Sequence, residues 1–217
     1  MELLTQNGKM KRSSNSQYTI FNFGIPAYKS RTGMRTCPWA GNCAKEGGCY
    51  ALNGPYRWGT VKNAYEERLE VTKSREFHHI MDYEIKKKAK TVIKKGKQVV
   101  VRVHDSGDFY SAKYFNKWMK VAEMNKDVKF YAYTKAVSLS KRLTPNIPSN
   151  FKIGFSFGGK EDHLIDKEKD IHSMVFAKEV PSAYEDASHD DLVFALSTNN
   201  KIGLVYHGPK RGDFSDV

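Results

Sequence analysis

Hydrophobic positions along the chain alternate between two spacings, and the change of spacing predicts strands followed by helices. Val99–Val103 is an almost continuous apolar run, as expected for a strand buried on both faces of a sheet. Residues 112–125 instead place large apolar side chains three and four positions apart, as on one face of a helix. Strands that alternate with helices predict an α/β fold with a largely parallel sheet, arranged as a partial (β/α) barrel.

The predicted elements cover most of the chain. The predicted strands are 18–25, 99–103, 128–133, 151–157, 173–177, 192–196 and 202–206, and the predicted helices are 60–77, 78–95, 112–125 and 137–143. We therefore expect one α/β domain over residues 17–210. A flexible leader at residues 1–16 would precede it, and a loose polar tail at residues 211–217 would follow it.

Composition limits the class of protein. Of the 217 residues, 40% are hydrophobic and 28% are charged, which is typical of globular proteins. No apolar run approaches the ~20 residues that span a membrane, and the first residues lack the apolar centre of a signal peptide. These features predict a cytoplasmic protein without a membrane partner. A reducing compartment disfavours disulfides and favours metal binding by cysteine.

The net charge of +12 indicates contact with a polyanion such as nucleic acid. Seven lysines lie between Lys86 and Lys97, on a predicted helix and the turn after it. The alternative, a helix face that is simply solvated, remains open for this run.

The three cysteines lie in one short, glycine-containing loop. Five residues separate Cys37 from Cys43, and five separate Cys43 from Cys49. Three thiolates can hold an iron–sulfur cluster and leave one iron open to a different ligand. A closed zinc site requires four ligands, so a histidine would have to complete it. An iron–sulfur cluster, a zinc site and metal-free thiols all remain possible interpretations of this loop.

Polar side chains follow the predicted strands, where ligands bind in α/β folds. His104, Asp105 and Asp108 follow one strand, and Lys135 follows the next. We take these four as candidate catalytic residues, although a helix cap and turn would use the same residue types. A hydrolase based on His104 and Asp105 without metal is a further option. The backbone N–H groups of Gly158–Gly159 could hold a carboxylate or phosphate, or form a plain turn.

The loop from Cys37 to Ala51, which ends in Cys-Tyr-Ala, resembles that of a phage-encoded family with a radical-SAM-like cysteine loop. Arg102–Phe109 and Tyr131–Lys135 carry the rest of the resemblance, which covers roughly residues 20–160. It implies a partial (β/α) barrel of radical-SAM-like type and a [4Fe–4S] cluster on the three cysteines. It also implies S-adenosylmethionine at the open iron, cleaved reductively to a carbon radical. The spacing departs from the usual Cys-x3-Cys-x2-Cys, and a Gly-Gly-Glu element is absent unless Gly158–Glu161 is a displaced form of it.

Together these observations predict a phage-type iron–sulfur protein, a redox or radical-SAM-like enzyme of unknown substrate, in the host cytoplasm. His104, Asp105 and Asp108 would serve as ligand, acid/base group or substrate contact, and His104 or Asp108 could approach the open iron. Lys135 would bind the carboxylate of an anionic substrate or of S-adenosylmethionine. A ferredoxin-like or flavodoxin-like reductant is then an expected partner. The alternative is a zinc-containing nucleic-acid-binding protein.

Overall fold

The computed structural model describes residues 2–44 and 49–206. In these residues one sheet of seven strands forms, and every neighbouring pair is parallel. The strands are β1 (Tyr18–Phe23), β2 (Gln98–Val103), β3 (Lys129–Thr134), β4 (Phe151–Ser156), β5 (His172–Phe176), β6 (Glu185–Asp186) and β7 (Lys201–Val205). Their order is β1-β2-β3-β4-β5-β7-β6, and the sheet curls into a half-barrel.

Helices cover both faces of the sheet. They are α1 (Gly8–Ser13), α2 (Gly59–Lys73), α3 (Phe77–Ile93), α4 (Ala112–Met124), α5 (Val137–Leu143) and α6 (Asp191–Leu196). On one face α3 and α4 enclose the largest core, in which the Phe23 and Trp118 rings meet edge to face at 5.1 Å. On the other face Met10 of α1 and Phe194 of α6 pack against the strands. Burial on both faces explains why Val99–Val103 is nearly all apolar.

The predicted α/β partial barrel with a parallel sheet is confirmed. The predicted strand at 192–196 is wrong, because α6 occupies those residues. Asp190 caps this helix by accepting a 2.8 Å hydrogen bond from the Leu192 N–H. A short apolar run such as this fits a buried helix as well as a buried strand. The two-residue strand β6 was not predicted.

The segment at residues 1–16, which was predicted to be a flexible leader, is ordered and packed against the domain over its described part. Over its described part, from residue 2, Leu4 and Met10 are fully buried, and Asn7 caps α1 by accepting a 2.9 Å hydrogen bond from the Met10 N–H. Leu4 joins the core beneath α3 and α4, whereas Met10 joins the core on the opposite face. The segment orders because surfaces formed by distant residues cover its few apolar side chains. The predicted tail at 211–217 lies outside the described residues.

The lysine run lies on α3 and the following turn, and most of its side chains are exposed. Lys86 pairs with Asp82 at 2.8 Å, and Lys88 pairs with Glu2. Contact with a polyanion here stays a prediction. No helix within residues 2–44 and 49–206 is long and apolar enough to cross a membrane.

Candidate functional site

The cysteine loop lies against the edge where the parallel strands end. The backbone N–H groups of Gly41 and Cys43 both donate to the carbonyl of Gly158, just beyond β4, at 3.2 Å. Ala40 and Gly159 form an isolated antiparallel bridge beside these bonds. The loop that follows β1 is therefore attached to the exit of β4, across the ends of β2 and β3.

Gly41 makes this close approach possible. A Cβ atom at Gly41 would lie 2.7 Å from both the carbonyl carbon and the oxygen of Gly159. Backbone atoms cannot move aside as a flexible side chain can, so another residue at this position would push the loop off the sheet edge. Gly41 thus contributes to the site by its lack of a side chain.

The three thiols are partly buried, form no disulfide and lie close enough to interact. Burial raises the pKa of each thiol. The pKa of Cys37 is raised further by Asp108, Cys49 and Cys43. Without a compensating positive charge, the three sulfurs therefore favour the protonated form.

Each sulfur also has a backbone amide that favours its thiolate. The Tyr28 N–H donates to Cys37 Sγ at 3.3 Å. Although burial raises the pKa of Cys43 and Cys49, backbone N–H groups at Gly41 and Ala51 act in the opposite direction. Amide hydrogen bonds of this kind set the reduction potential of thiolate-bound iron–sulfur clusters.

In the part of the chain that the structure describes, no three His, Cys, Asp or Glu side chains are placed to hold a single metal ion. A structural zinc site needs four ligands around one point, whereas an iron–sulfur cluster distributes its thiolates over different irons. The described residues show neither kind of centre.

Lys135 supplies a positive charge that acts on the thiols of Cys43 and Cys49. Its Nζ donates to the carbonyls of Ser156 and Phe157 at 3.0 and 2.6 Å. A Cβ atom placed on Gly158 would lie 3.6 Å from both Lys135 Nζ and Cys43 Cβ, so the ammonium and the thiol flank one glycine. This ammonium opposes the rise that burial causes in the pKa of Cys43 and Cys49.

Asp108 is buried, and hydrogen bonds occupy both its oxygens. Oδ1 accepts from the Thr134 hydroxyl at 2.6 Å, and Oδ2 accepts from the Lys135 N–H at 3.0 Å. Its own N–H donates to the carbonyl of Thr36, the residue before Cys37. Burial raises the pKa of this carboxyl. Asp108 is therefore placed to position the ends of β2 and β3 and the start of the cysteine loop.

His104 and Asp105 are adjacent in sequence but face opposite sides of the chain. The His104 ring lies in the core, 4.7 Å from the Phe109 ring, and its Nε2 shares a 2.9 Å hydrogen bond with the Tyr114 hydroxyl. Burial lowers the pKa of His104 to about 3, so the ring is neutral. Asp105 Oδ2 instead accepts from Asn22 at 2.7 Å. The structure brings His104 neither to the thiols nor into a dyad with Asp105.

Sequence reasoning missed three residues that link the cysteine loop to the inside of the half-barrel. Tyr50, directly after Cys49, donates its hydroxyl hydrogen to the carbonyl of Asp105 and accepts from Arg102 at 3.2 Å. Arg102 also donates to Asp191 of α6 at 3.1 Å. The signal for Arg102 was a charged residue inside an otherwise apolar strand, because such a charge requires a buried partner.

The two glycines after β4 bind a carboxylate from their own chain. The N–H groups of Gly158 and Gly159 donate to the Asp162 carboxylate at 2.7 and 2.9 Å. Glu161 accepts from the backbone and hydroxyl of Ser138 at 2.9 and 2.6 Å. These N–H groups and Glu161 are thus engaged internally, and Glu161 is bound at α5.

Fold and site together define a parallel α/β half-barrel protein with a three-cysteine loop across the carboxyl ends of its strands. The chain belongs to the gene product 88 family, whose model matches residues 1–213. This match indicates a phage-type protein family. No curated protein and no solved structure matches the chain.

Proposed function

We propose that this protein is an iron–sulfur enzyme of redox or radical-SAM-like type. Cys37, Cys43 and Cys49 would hold a [4Fe–4S] cluster and leave one iron open at the carboxyl edge of the half-barrel. The observation that supports the proposal is that the three thiols belong to one loop attached to this edge and are close enough that Cys43 and Cys49 raise the pKa of Cys37.

The donor set fits the group. Thiolates are the usual ligands of iron–sulfur clusters, whereas burial at this site favours neutral thiols. A cationic iron centre would supply the positive charge that converts them to thiolates, since metal binding releases ligand protons. Because the thiol pKa values are raised, loading of such a centre would release protons and would be favoured at higher pH.

When bound, a cluster with an open iron supplies single-electron transfer and a position for a substrate or for S-adenosylmethionine. The residues of the chain would balance charge and position the loop around it. Lys135 would balance negative charge next to Cys43 and Cys49, with its ammonium held by the carbonyls beyond β4. Asp108 would keep the β2 and β3 exits in register with Cys37. A ferredoxin-like or flavodoxin-like protein in the host cytoplasm would supply the electrons.

The test is the iron, sulfide and zinc content of anaerobically purified protein, with EPR spectra before and after dithionite. We expect about four irons and four sulfides per chain and a signal in the reduced state. A shift of that signal on addition of S-adenosylmethionine would assign the radical-SAM-like reaction. An unchanged signal would support the cluster but would show that S-adenosylmethionine does not bind to it.

Single variants Cys37→Ser, Cys43→Ser and Cys49→Ser should each lower the iron content. His104→Asn is the matched control, because the structure places His104 in the core, and its iron content should equal that of the wild type. Protein that carries no iron and cannot be reconstituted would overturn the proposal. Stoichiometric zinc without sulfide would instead support the zinc-containing alternative.

A further inference from the structure

A second candidate site lies next to the cysteine loop, in a cavity of about 340 Å³. Ala27 and Ser30 from the segment before Cys37 line one side, and Ala51 and Leu52, just after Cys49, line another. The first turns of α2 close the cavity. Its volume lies at the lower end of the range for small-molecule sites, which begins at about 300 Å³.

The lining is strongly basic. Lys29, Arg31, Arg57 and Lys62 contribute four positive charges, and Glu66 contributes one negative charge. Among the described residues none of the four basic side chains takes part in an ion pair. Glu66 accepts a 2.7 Å hydrogen bond from the backbone N–H of Arg31, so part of its carboxylate is already engaged. The cavity therefore presents uncompensated positive charge.

A buried hydroxyl at the cavity wall lacks a partner. Ser106, which follows β2, is only 4% exposed, and its Oγ forms no hydrogen bond within the described residues. Buried hydroxyls are normally paired, so this hydroxyl is available to hydrogen-bond a ligand or an ordered water. Ser106 follows β2 and carries no charge, so this observation is independent of the basic side chains.

An aromatic surface completes the cavity. Tyr56 and Tyr65 both line it, with ring centroids 6.0 Å apart. Tyrosine rings next to basic side chains are the combination that binds nucleotides, because bases stack on the rings while phosphates meet the cations. A simple anion would use only the basic part of this lining.

We propose that this cavity binds a phosphorylated ligand of mononucleotide size. Lys29, Arg57 and Lys62 would contact the phosphate, Tyr56 would contact the ring system, and the Ser106 hydroxyl would hydrogen-bond the ligand. The proposal does not depend on the cluster, because none of these residues is a cysteine and the charge of the cavity comes from the chain alone.

The test is isothermal titration calorimetry of the 217-residue protein with AMP, GMP, inorganic phosphate and a short single-stranded DNA. We expect at least one mononucleotide to bind more tightly than inorganic phosphate. Inorganic phosphate binding equally well would overturn the assignment of a nucleotide-sized ligand. DNA binding that no mononucleotide displaces, or the absence of binding by every probe, would also overturn it.

The double variant Arg57→Ala/Lys62→Ala should weaken mononucleotide binding about tenfold or more, since charged hydrogen bonds are lost. Its matched control is Lys87→Ala/Lys90→Ala on α3, which removes the same charge from a remote surface and should change binding less than about twofold. Equal losses in both variants would show unspecific attraction and overturn the site. Ser106→Ala should weaken binding without lowering the melting temperature, because its hydroxyl has no protein partner to lose.

Discussion

Asp108 and Thr134 form a 2.6 Å hydrogen bond that joins the residues after β2 to the last residue of β3. The same carboxylate accepts from the N–H groups of Phe109 and Lys135 at 2.7 and 3.0 Å. All three partners are donors, so the site requires a group that only accepts, which an ionised carboxylate does. This carboxylate fixes the edge on which the cysteine loop rests.

Replacing this carboxylate by an amide should destabilise the protein. In Asp108→Asn an amide NH₂ would face a donor, so we expect the free energy of unfolding to fall by about 1–3 kcal/mol. Urea denaturation measures this change. Asp127→Asn, at an exposed position before β3, is the control and should stay within about 0.5 kcal/mol of the wild type. Equal stability of the two variants would show that the network does not support the edge.

The contact between Gly41 and Gly159 predicts a steric effect. Gly41→Ala would place a Cβ atom 2.7 Å from backbone atoms of Gly159, so the loop must shift, at a cost of about 1–3 kcal/mol. We expect lower stability in urea and faster alkylation of the thiols, which become more accessible.

Gly59→Ala is the control for this change. Gly59 is the first residue of α2, and a Cβ atom there meets no atom within 4 Å. Alanine favours helix, so stability should be unchanged or higher by up to about 1 kcal/mol. Thiol alkylation as slow in Gly41→Ala as in the wild type would contradict the role of Gly41 in seating the loop.

The charge of Lys135 predicts the reactivity of the thiols in metal-free protein. Lys135→Met removes the ammonium that opposes the burial-induced rise in the pKa of Cys43 and Cys49. The thiolate fraction should fall, and alkylation by iodoacetamide at a fixed pH of about 8 should slow by about tenfold for each unit of pKa.

Lys135→Arg keeps the charge and should react nearly as fast as the wild type. Lys129→Met changes the amino end of the same strand, β3, and should leave the rate unchanged. A Lys135→Met rate that matches the wild-type rate over the whole pH range would exclude an electrostatic role for this lysine.

Burial of His104 predicts a pH dependence of stability. The pKa falls from 6.5 to about 3 on folding, so below pH 6.5 the unfolded chain binds a proton that the folded chain does not. The contribution of His104 to the free energy of unfolding is therefore fully present above pH 6.5. It is lost as the pH falls towards 3, by up to about 1.4 kcal/mol per pH unit.

Urea denaturation between pH 7 and pH 4 would measure this slope. His104→Asn suits the backbone, because the φ angle of 68° at this position is one that asparagine tolerates. The variant should lose the part of the slope due to histidine. Parallel pH profiles for wild type and His104→Asn would contradict the buried, neutral histidine.

Much of the fold could be predicted because its signals are local. The valines of β2 and the helical spacing in α4 show their structure within a few residues, and both elements occur where they were expected. The segment at 192–196 could not be assigned, since five apolar residues suit either a strand or a helix. The early residues around Leu4 order only through contact with distant elements.

The sequence by itself determined the parallel α/β plan, the placement of the cysteines in one loop and the set of polar residues at strand ends. Periodicity and spacing carry that information within short segments. Only the tertiary structure decided which of those residues meet. Beyond the end of β2 the backbone turns at His104, whose φ angle is 68°, so its ring lies in the core while Asp105 contacts Asn22. Lys135 lies beside Cys43 across Gly158. Such contacts depend on the packing of residues far apart in the chain, which local patterns do not encode.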